Sequence, residues 1–199
     1  MTNIAYEDWD GGRLRVNSAF APILRANGLA TFEALMNYSG GTVAKNLLAE
    51  RTTTRIMLSD GDLTRAFYIK RHTPSPLKEY LKPLLRLTWP ILGARNEWNA
   101  LLRFHAAEIP TMTPVALGES GRYSLIVTEA IEGYAKLPDW IAEQDAAADL
   151  SPVIDRVAEI ARRMHAAGLH HQDFYLGHLL VRERAGELDV RVIDLGRAR

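Results

Sequence analysis

Two carboxylates between His171 and Gly196 are spaced for chemistry. The first lies in His171-Gln172-Asp173-Phe174-Tyr175-Leu176-Gly177-His178, and the second follows the strand-like run Val190-Arg191-Val192-Ile193 in Asp194-Leu195-Gly196. This is the layout of a kinase-like phosphotransfer site. Phosphoryl transfer asks for little covalent work, so the protein has to set the acceptor oxygen in line with the γ-phosphorus and neutralise charge. Asp173 would accept or orient the proton of a substrate hydroxyl, and Asp194 would hold a magnesium ion against the phosphates of ATP. Magnesium takes one or two protein carboxylates when phosphates and water complete its shell, which suits a lone Asp194.

The neighbouring histidines divide the remaining work. His178 stands five residues after Asp173, where protein kinases generally place Asn as a second metal ligand; a neutral imidazole can fill that place, although it is a poorer magnesium ligand than an amide oxygen. His171 is a catalytic-loop residue with two readings, of which bracing the loop through hydrogen bonds outweighs contact with substrate. His170 reads as structural or exposed.

Elements that could position these groups are legible upstream. Thr52 to Leu58 and Leu63 to Lys70 are β-branched and aromatic runs around Ser59-Asp60-Gly61-Asp62, a hairpin signal that leaves Lys70 near the end of the second strand. From Ile91 to Ala107 the spacing of Trp98, Leu101, Leu102 and Phe104 predicts a helix that carries Glu97. Val115 to Leu117 and Tyr123 to Thr128 predict two further strands. Ser151-Pro152 is expected to cap and open a helix with Val153, Ile154, Val157, Ile160, Ala161 and Met164 as its buried stripe and Gly168 at its end. Ahead of all these, Asn17-Ser18 and Asn27-Gly28 bracket short helices. Lys70 sits where a kinase grips the α and β phosphates, and Glu97 could hold its ammonium.

Two features fit less simply. No Gly-x-Gly-x-x-Gly loop is present; Ser39-Gly40-Gly41 reads as a simple turn, and backbone amides near Lys45 to Thr52 would have to cover the phosphates. Lys78, Lys82 and Arg86 recur every fourth residue beside Leu77, Leu81, Leu84, Leu85 and Trp89. Such a stripe suits either an ordinary solvated helix or one lying on an anionic membrane face.

Composition sets the outer bounds. The chain has 199 residues, 47% of them hydrophobic, with 24 Lys plus Arg balanced by 24 Asp plus Glu, so no basic field exists to draw in nucleic acid. Cysteine is absent, which excludes disulfides and thiolate metal sites. No apolar segment is long enough to span a bilayer and no secretory signal is seen, so the expectation is a cytoplasmic protein.

His171-Gln172-Asp173-Phe174-Tyr175-Leu176-Gly177-His178-Leu179-Leu180, followed by Ile193-Asp194-Leu195-Gly196-Arg197-Ala198, resembles the lipopolysaccharide kinase family of bacterial Kdo and heptose kinases. A looser resemblance runs from about Gly40 through Tyr68-Ile69-Lys70-Arg71 and Val127-Thr128-Glu129-Ala130. It implies an α+β, protein-kinase-like, two-lobed fold, with an antiparallel sheet plus helix in the N-lobe and a mainly helical C-lobe. Residues 1–36 would be a helical lead-in, 37–130 the N-lobe, and 131–199 a partial C-lobe, since the chain stops soon after Gly196. The resemblance also implies ATP and Mg²⁺ as cofactors, with Lys70, Glu97 and Glu129 at the nucleotide, Asp194 and His178 at the metal, and Asp173 as base. The implied acceptor is a sugar hydroxyl of lipid-linked core oligosaccharide, met by peripheral contact with the inner membrane. A nucleotide-binding scaffold without turnover and a small-molecule kinase of the aminoglycoside or choline type stay open as alternatives.

Overall fold

Lys70 lies on an interior strand of a seven-stranded antiparallel sheet in this computed structural model, which describes residues 4–48, 51–74 and 93–199. The basic stripe of Lys78, Lys82 and Arg86 falls outside the described residues. Contacts divide the described chain into two compact units, Ile4–Trp98 with Thr113–Ala130, and Asn99–Met112 with Ile131–Arg199.

The first unit contains β1 (Tyr6–Trp9), β2 (Leu14–Asn17), β3 (Gly41–Leu48), β4 (Arg51–Asp60), β5 (Leu63–His72), β6 (Pro114–Ser120) and β7 (Tyr123–Glu129). Their order across the sheet is β1-β2-β6-β7-β5-β4-β3. The expected hairpin is β4–β5, closed by an Asp60–Leu63 pair with Gly61 at φ 62, a conformation glycine takes without steric cost. Alternation sorts the side chains of β5. Phe67, Ile69 and Arg71 point to one face, and Lys70 to the other.

On the Phe67 and Ile69 face sit α1 (Ala21–Ala26) and α2 (Phe32–Asn37). Phe20, Ile23, Leu24, Leu29, Phe32 and Leu35 join Ile56, Leu58, Phe67, Ile69, Leu125 and Val127 in one buried cluster. Each such side chain contributes about 1.5–3 kcal/mol on burial, so the segment from Leu14 to Leu35 is part of the core that holds β5 in place. The sequence predicted the short helices here, but β1 and β2 and the strand β3 went unread.

Gly41 corrects the reading of Ser39-Gly40-Gly41 as a simple turn. It is the first residue of β3, and a Cβ there would come within 2.5 Å of the Arg55 carbonyl oxygen and 2.8 Å of Ile56. Close approach of two backbones is what needs this glycine. The β3–β4 pairing shifts register between Val43 and Lys45 and again between Asn46 and Leu48, so this edge hairpin is irregular.

Helix α3 (Arg95–Ala106) begins beside β7, where Ala94 N–H donates to Ser124 Oγ at 3.0 Å. Trp98, Leu101 and Phe104 are buried as their spacing predicted.

The second unit holds α4 (Leu137–Ala142), α5 (Ser151–Ala166) and a three-stranded sheet of β8 (Ala135–Lys136), β9 (Leu179–Arg184) and β10 (Glu187–Val192) in the order β10-β9-β8. Sheet and helix share this unit, where the sequence predicted a mainly helical one. Val153, Ile160 and Met164 are buried on α5, but Ile154 is 62% exposed, one residue and so about 100° off the stripe. Ser151 is not the cap either; its N–H donates to Asp149 Oδ1 at 2.9 Å, and Leu150 precedes the first turn. The end of β10 is braced by Val192 N–H donating to Pro110 O at 2.9 Å and by Thr111 Oγ1 donating to Val192 O at 2.7 Å.

Candidate active site

Two short segments of the second unit meet just beyond β10. Ile193 N–H donates to His178 O at 2.9 Å, and His171 Nε2 lies 3.4 Å from Ile193 O, so the peptide before Asp194 is held from both sides. Asp194 then takes left-handed φ 60 and ψ 59, rare for a non-glycine residue, and the chain turns into a 3₁₀ helix over Leu195–Arg197. The clamp on Ile193 maintains that conformation and re-aims the carboxylate after the strand.

His171 is 3% exposed and makes its hydrogen bonds to backbone. Nδ1 accepts from Asp173 N–H at 3.3 Å while Nε2–H donates to Ile193 O, an assignment fixed by what each nitrogen faces. One ring thus spans the loop of Asp173 and the turn of Asp194. Burial pushes its pKa down and the hydrogen bond to Ile193 O opposes that shift, so the ring stays neutral in this role.

His178 is placed between the two aspartates. Its Nδ1 lies 3.0 Å from Asp173 O and must donate, so in the neutral ring Nε2 carries the lone pair, 3.6 Å from Asp194 Oδ2. That separation is too long for a direct hydrogen bond. The tautomer suits a shared cation, since both groups then offer electron pairs. Among the described residues no group of three or more His, Asp or Glu side chains is arranged to hold a metal by itself. A magnesium ion fits this set only in the way such ions bind nucleotides, with phosphates and water completing the shell.

The remaining expected residues lie in the first unit. Lys70 Nζ donates to Glu97 Oε1 at 2.7 Å, so the pairing predicted between strand and helix is present. Glu129, at the end of β7, has its carboxylate occupied by Arg65 Nη2 at 2.5 Å, and Arg65 also reaches Asp60 at 3.1 Å. That pairing raises the Arg65 pKa, chiefly through the hydrogen bond to Glu129.

One contact was not foreseen from sequence. Arg197 Nη1 donates to Asp173 Oδ1 at 2.9 Å. The motif containing Arg197 was visible, but spacing along the chain gave no sign that the second loop folds back over the first.

Kinase-type phosphotransferases accelerate transfer by position and electrostatics, and paired carboxylates on neighbouring turns are the kind of group they use. Within that class the comparison with known families is specific. The lipopolysaccharide kinase (Kdo/WaaP) family matches residues 40–199, and the chain belongs to that family. It is similar to the lipopolysaccharide core heptose(I) kinase WaaP of Escherichia coli, at 34% identity over 93% of this chain and 72% of that protein. The enzyme of the same name from Pseudomonas aeruginosa is 35% identical over 86% of this chain and 67% of its own length. The protein is therefore a lipopolysaccharide kinase, with ATP as donor and an alcohol group as acceptor.

Proposed function

We propose that this protein phosphorylates a heptose hydroxyl of the lipopolysaccharide core. The relatives named above supply the acceptor class. The observation that carries the catalytic part is the two-sided clamp on Ile193, through which His171 and His178 tie the Asp173 loop to the Asp194 turn.

In this reading Asp173 orients the acceptor hydroxyl and takes its proton. Lys70, steadied by Glu97, holds the α and β phosphates of ATP, and Glu129 enters through its place at the end of β7, its carboxylate being held by Arg65. Asp194 and His178 would hold magnesium, which when bound offsets the charge of the phosphates. His171 is a positioning residue: it keeps the Asp173 backbone in place and does not face substrate. Tyr175 and Leu176 are exposed beside Asp173 and offer an apolar surface against which the C–H face of a sugar ring can pack.

The same reading takes 37–130 as an N-lobe and 131–199 as a C-lobe, supported by the change of unit at Ala130; Asn99–Met112 groups with the second unit, and the expected lead-in of residues 1–36 supplies β1, β2, α1 and α2 to the sheet and core of the first. Contact with a lipid-linked acceptor would be peripheral, since no helix of the described residues is long and apolar enough to cross a membrane.

The test is phosphate transfer from labelled ATP to heptose-containing core oligosaccharide, compared with a core that ends at Kdo. The heptose acceptor should be labelled and the shorter core should not. Asp173→Asn should bind an ATP analogue nearly as well as the parent while turnover falls about 10³-fold. Equal turnover in the two proteins would sink the assignment.

A further inference from the structure

The carboxylate of Asp173 is held by a cation delivered from the opposite loop. His170 N–H donates to Arg199 O and Arg199 N–H donates to His170 O, both at 2.8 Å, with His171 and Ala198 paired as an antiparallel bridge. Leu195 and Ala198, both buried, fix the 3₁₀ turn between them. Arg197 therefore reaches Asp173 from a backbone already tied to the catalytic loop, unlike an ordinary surface ion pair between two free side chains.

Its guanidinium binds one oxygen, Oδ1, at 2.9 Å, and 59% of the Arg197 side chain is exposed against 23% for Asp173. A guanidinium carries five N–H donors in a rigid fork, so this contact leaves donors for an anion. The loop itself offers no cation, because Phe174-Tyr175-Leu176-Gly177 contains neither lysine nor arginine. Transfer at Asp173 brings phosphoryl oxygens up to a carboxylate, and that repulsion has to be offset where it arises.

We propose that Arg197 is a further catalytic residue: it fixes Oδ1 of Asp173 so that Oδ2 meets the acceptor hydroxyl, and its exposed edge binds the phosphoryl group in transit. This inference rests on the assignment of Asp173 given above. In the step, the acceptor oxygen bonds to the γ-phosphorus, its proton passes to Asp173, and the bond from that phosphorus to the β–γ bridging oxygen breaks to release ADP. A planar fork can serve a carboxylate and a phosphoryl oxygen together. An ammonium, a point charge on a flexible stem, does so less well.

Arg197→Ala, Arg197→Gln and Arg197→Lys would be assayed in the full chain with ATP and heptose-containing core, with and without added ethylguanidinium. In Arg197→Ala, kcat should fall about 10²–10³-fold, the size seen when one transition-state donor is removed, with KM for ATP changed less than about threefold. Lysine should recover about a tenth of parent turnover or less, and ethylguanidinium should restore part of the activity of Arg197→Ala but none to Asp173→Asn. Turnover in Arg197→Ala within about threefold of the parent would overturn the proposal, as would a loss that ethylguanidinium does not relieve in protein with a parent-like thermal transition. If Arg197→Ala does not fold, Arg197→Gln, which keeps the side chain's bulk, takes its place under the same criteria. An active Asp173→Asn would instead remove the underlying assignment, whereas inactive Asp173→Asn beside fully active Arg197→Ala would remove only this inference.

Discussion

Glu97 carries a carboxylate that is only 4% exposed, and the Lys70 ammonium binds it at 2.7 Å. A buried charge that keeps its partner is tolerable, but one that loses it is strongly destabilising. Lys70→Met should therefore act twice. It should lower stability by about 3 kcal/mol through the stranded carboxylate, and it should reduce kcat/KM for ATP about 10²-fold or more through the missing phosphate contact. Glu97→Gln keeps a hydrogen-bonding partner for the Lys70 ammonium, which at 21% exposed is closer to solvent than the carboxylate, so it should destabilise less than Lys70→Met while kcat/KM for ATP still falls. Urea melts and ATP kinetics on both variants separate the two effects. Equal destabilisation by the two substitutions would show that the buried carboxylate does not govern stability here.

His178 donates Nδ1–H to the backbone oxygen of Asp173 and sets Nε2 3.6 Å from the carboxylate of Asp194. His178→Gln can keep the bond to Asp173 O but not a ring nitrogen facing Asp194 in the same plane. Loss of an orienting partner costs a metal site about 10–100-fold in affinity, so the magnesium concentration for half-maximal turnover should rise by at least about tenfold. A magnesium titration in which parent and variant coincide would remove His178 from the metal site.

How far the sequence led depended on the range of the physics involved. The places of Lys70 on a strand and Glu97 on a helix were legible because period-2 and helical patterning is visible within ten residues, whereas Asp173 and Asp194 lie on turns and were read from their motifs alone. Arg197 had no such signal, because its partner is set by the bridge between His171 and Ala198. The strands β1 and β2 are four residues each, and Tyr-Glu-Asp-Trp and Leu-Arg-Val-Asn contain too few alternations to stand out from a loop. Ile154 was misplaced since Val153 and Ile154 are adjacent apolar residues on α5, and only packing decides which one faces inward.

Arg71 follows Lys70 and points to the opposite face of β5, where it is 8% exposed. Its guanidinium donates to Leu35 O at 3.0 Å, Tyr38 O at 2.9 Å and Thr54 Oγ1 at 3.0 Å. The two carbonyls lie in and just after the last turn of α2, where the helix dipole favours a cation. Burial lowers the Arg71 pKa, but guanidinium stays charged at any physiological pH. The residue therefore fastens the end of α2, and with it the start of β3, onto the strand that carries Lys70. Arg71→Met leaves those acceptors without donors and should cost about 3 kcal/mol, read as a lower urea midpoint at unchanged slope. A midpoint equal to that of the parent would show that α2 holds its place without this contact.

His72, two residues beyond Lys70 and on the same face of β5, makes stability depend on pH. Neither ring nitrogen has a hydrogen-bond partner among the described residues, and both are closed to solvent. Burial first, then the charges of Arg51 and Lys70, push its pKa down from 6.5 to about 4. Ser124, its cross-strand neighbour on β7, adds no charge. Above pH 6.5 the ring is neutral whether the chain is folded or not, so it has no effect on the balance. As pH falls from 6.5 towards 4 the unfolded chain takes up a proton that the folded one refuses, and stability drops by roughly 3 kcal/mol across that window. Below it both states are protonated and this contribution stops changing. His171, whose pKa burial also lowers, acts in the same direction, so the measurement has to be a difference between parent and His72→Leu. The two proteins should run in parallel from pH 8 to 7, and the parent alone should show the extra loss of roughly 3 kcal/mol by pH 4. Urea melts at half-unit steps give the curves, and parallel curves through the whole range would mean that His72 is protonated without penalty in the folded protein.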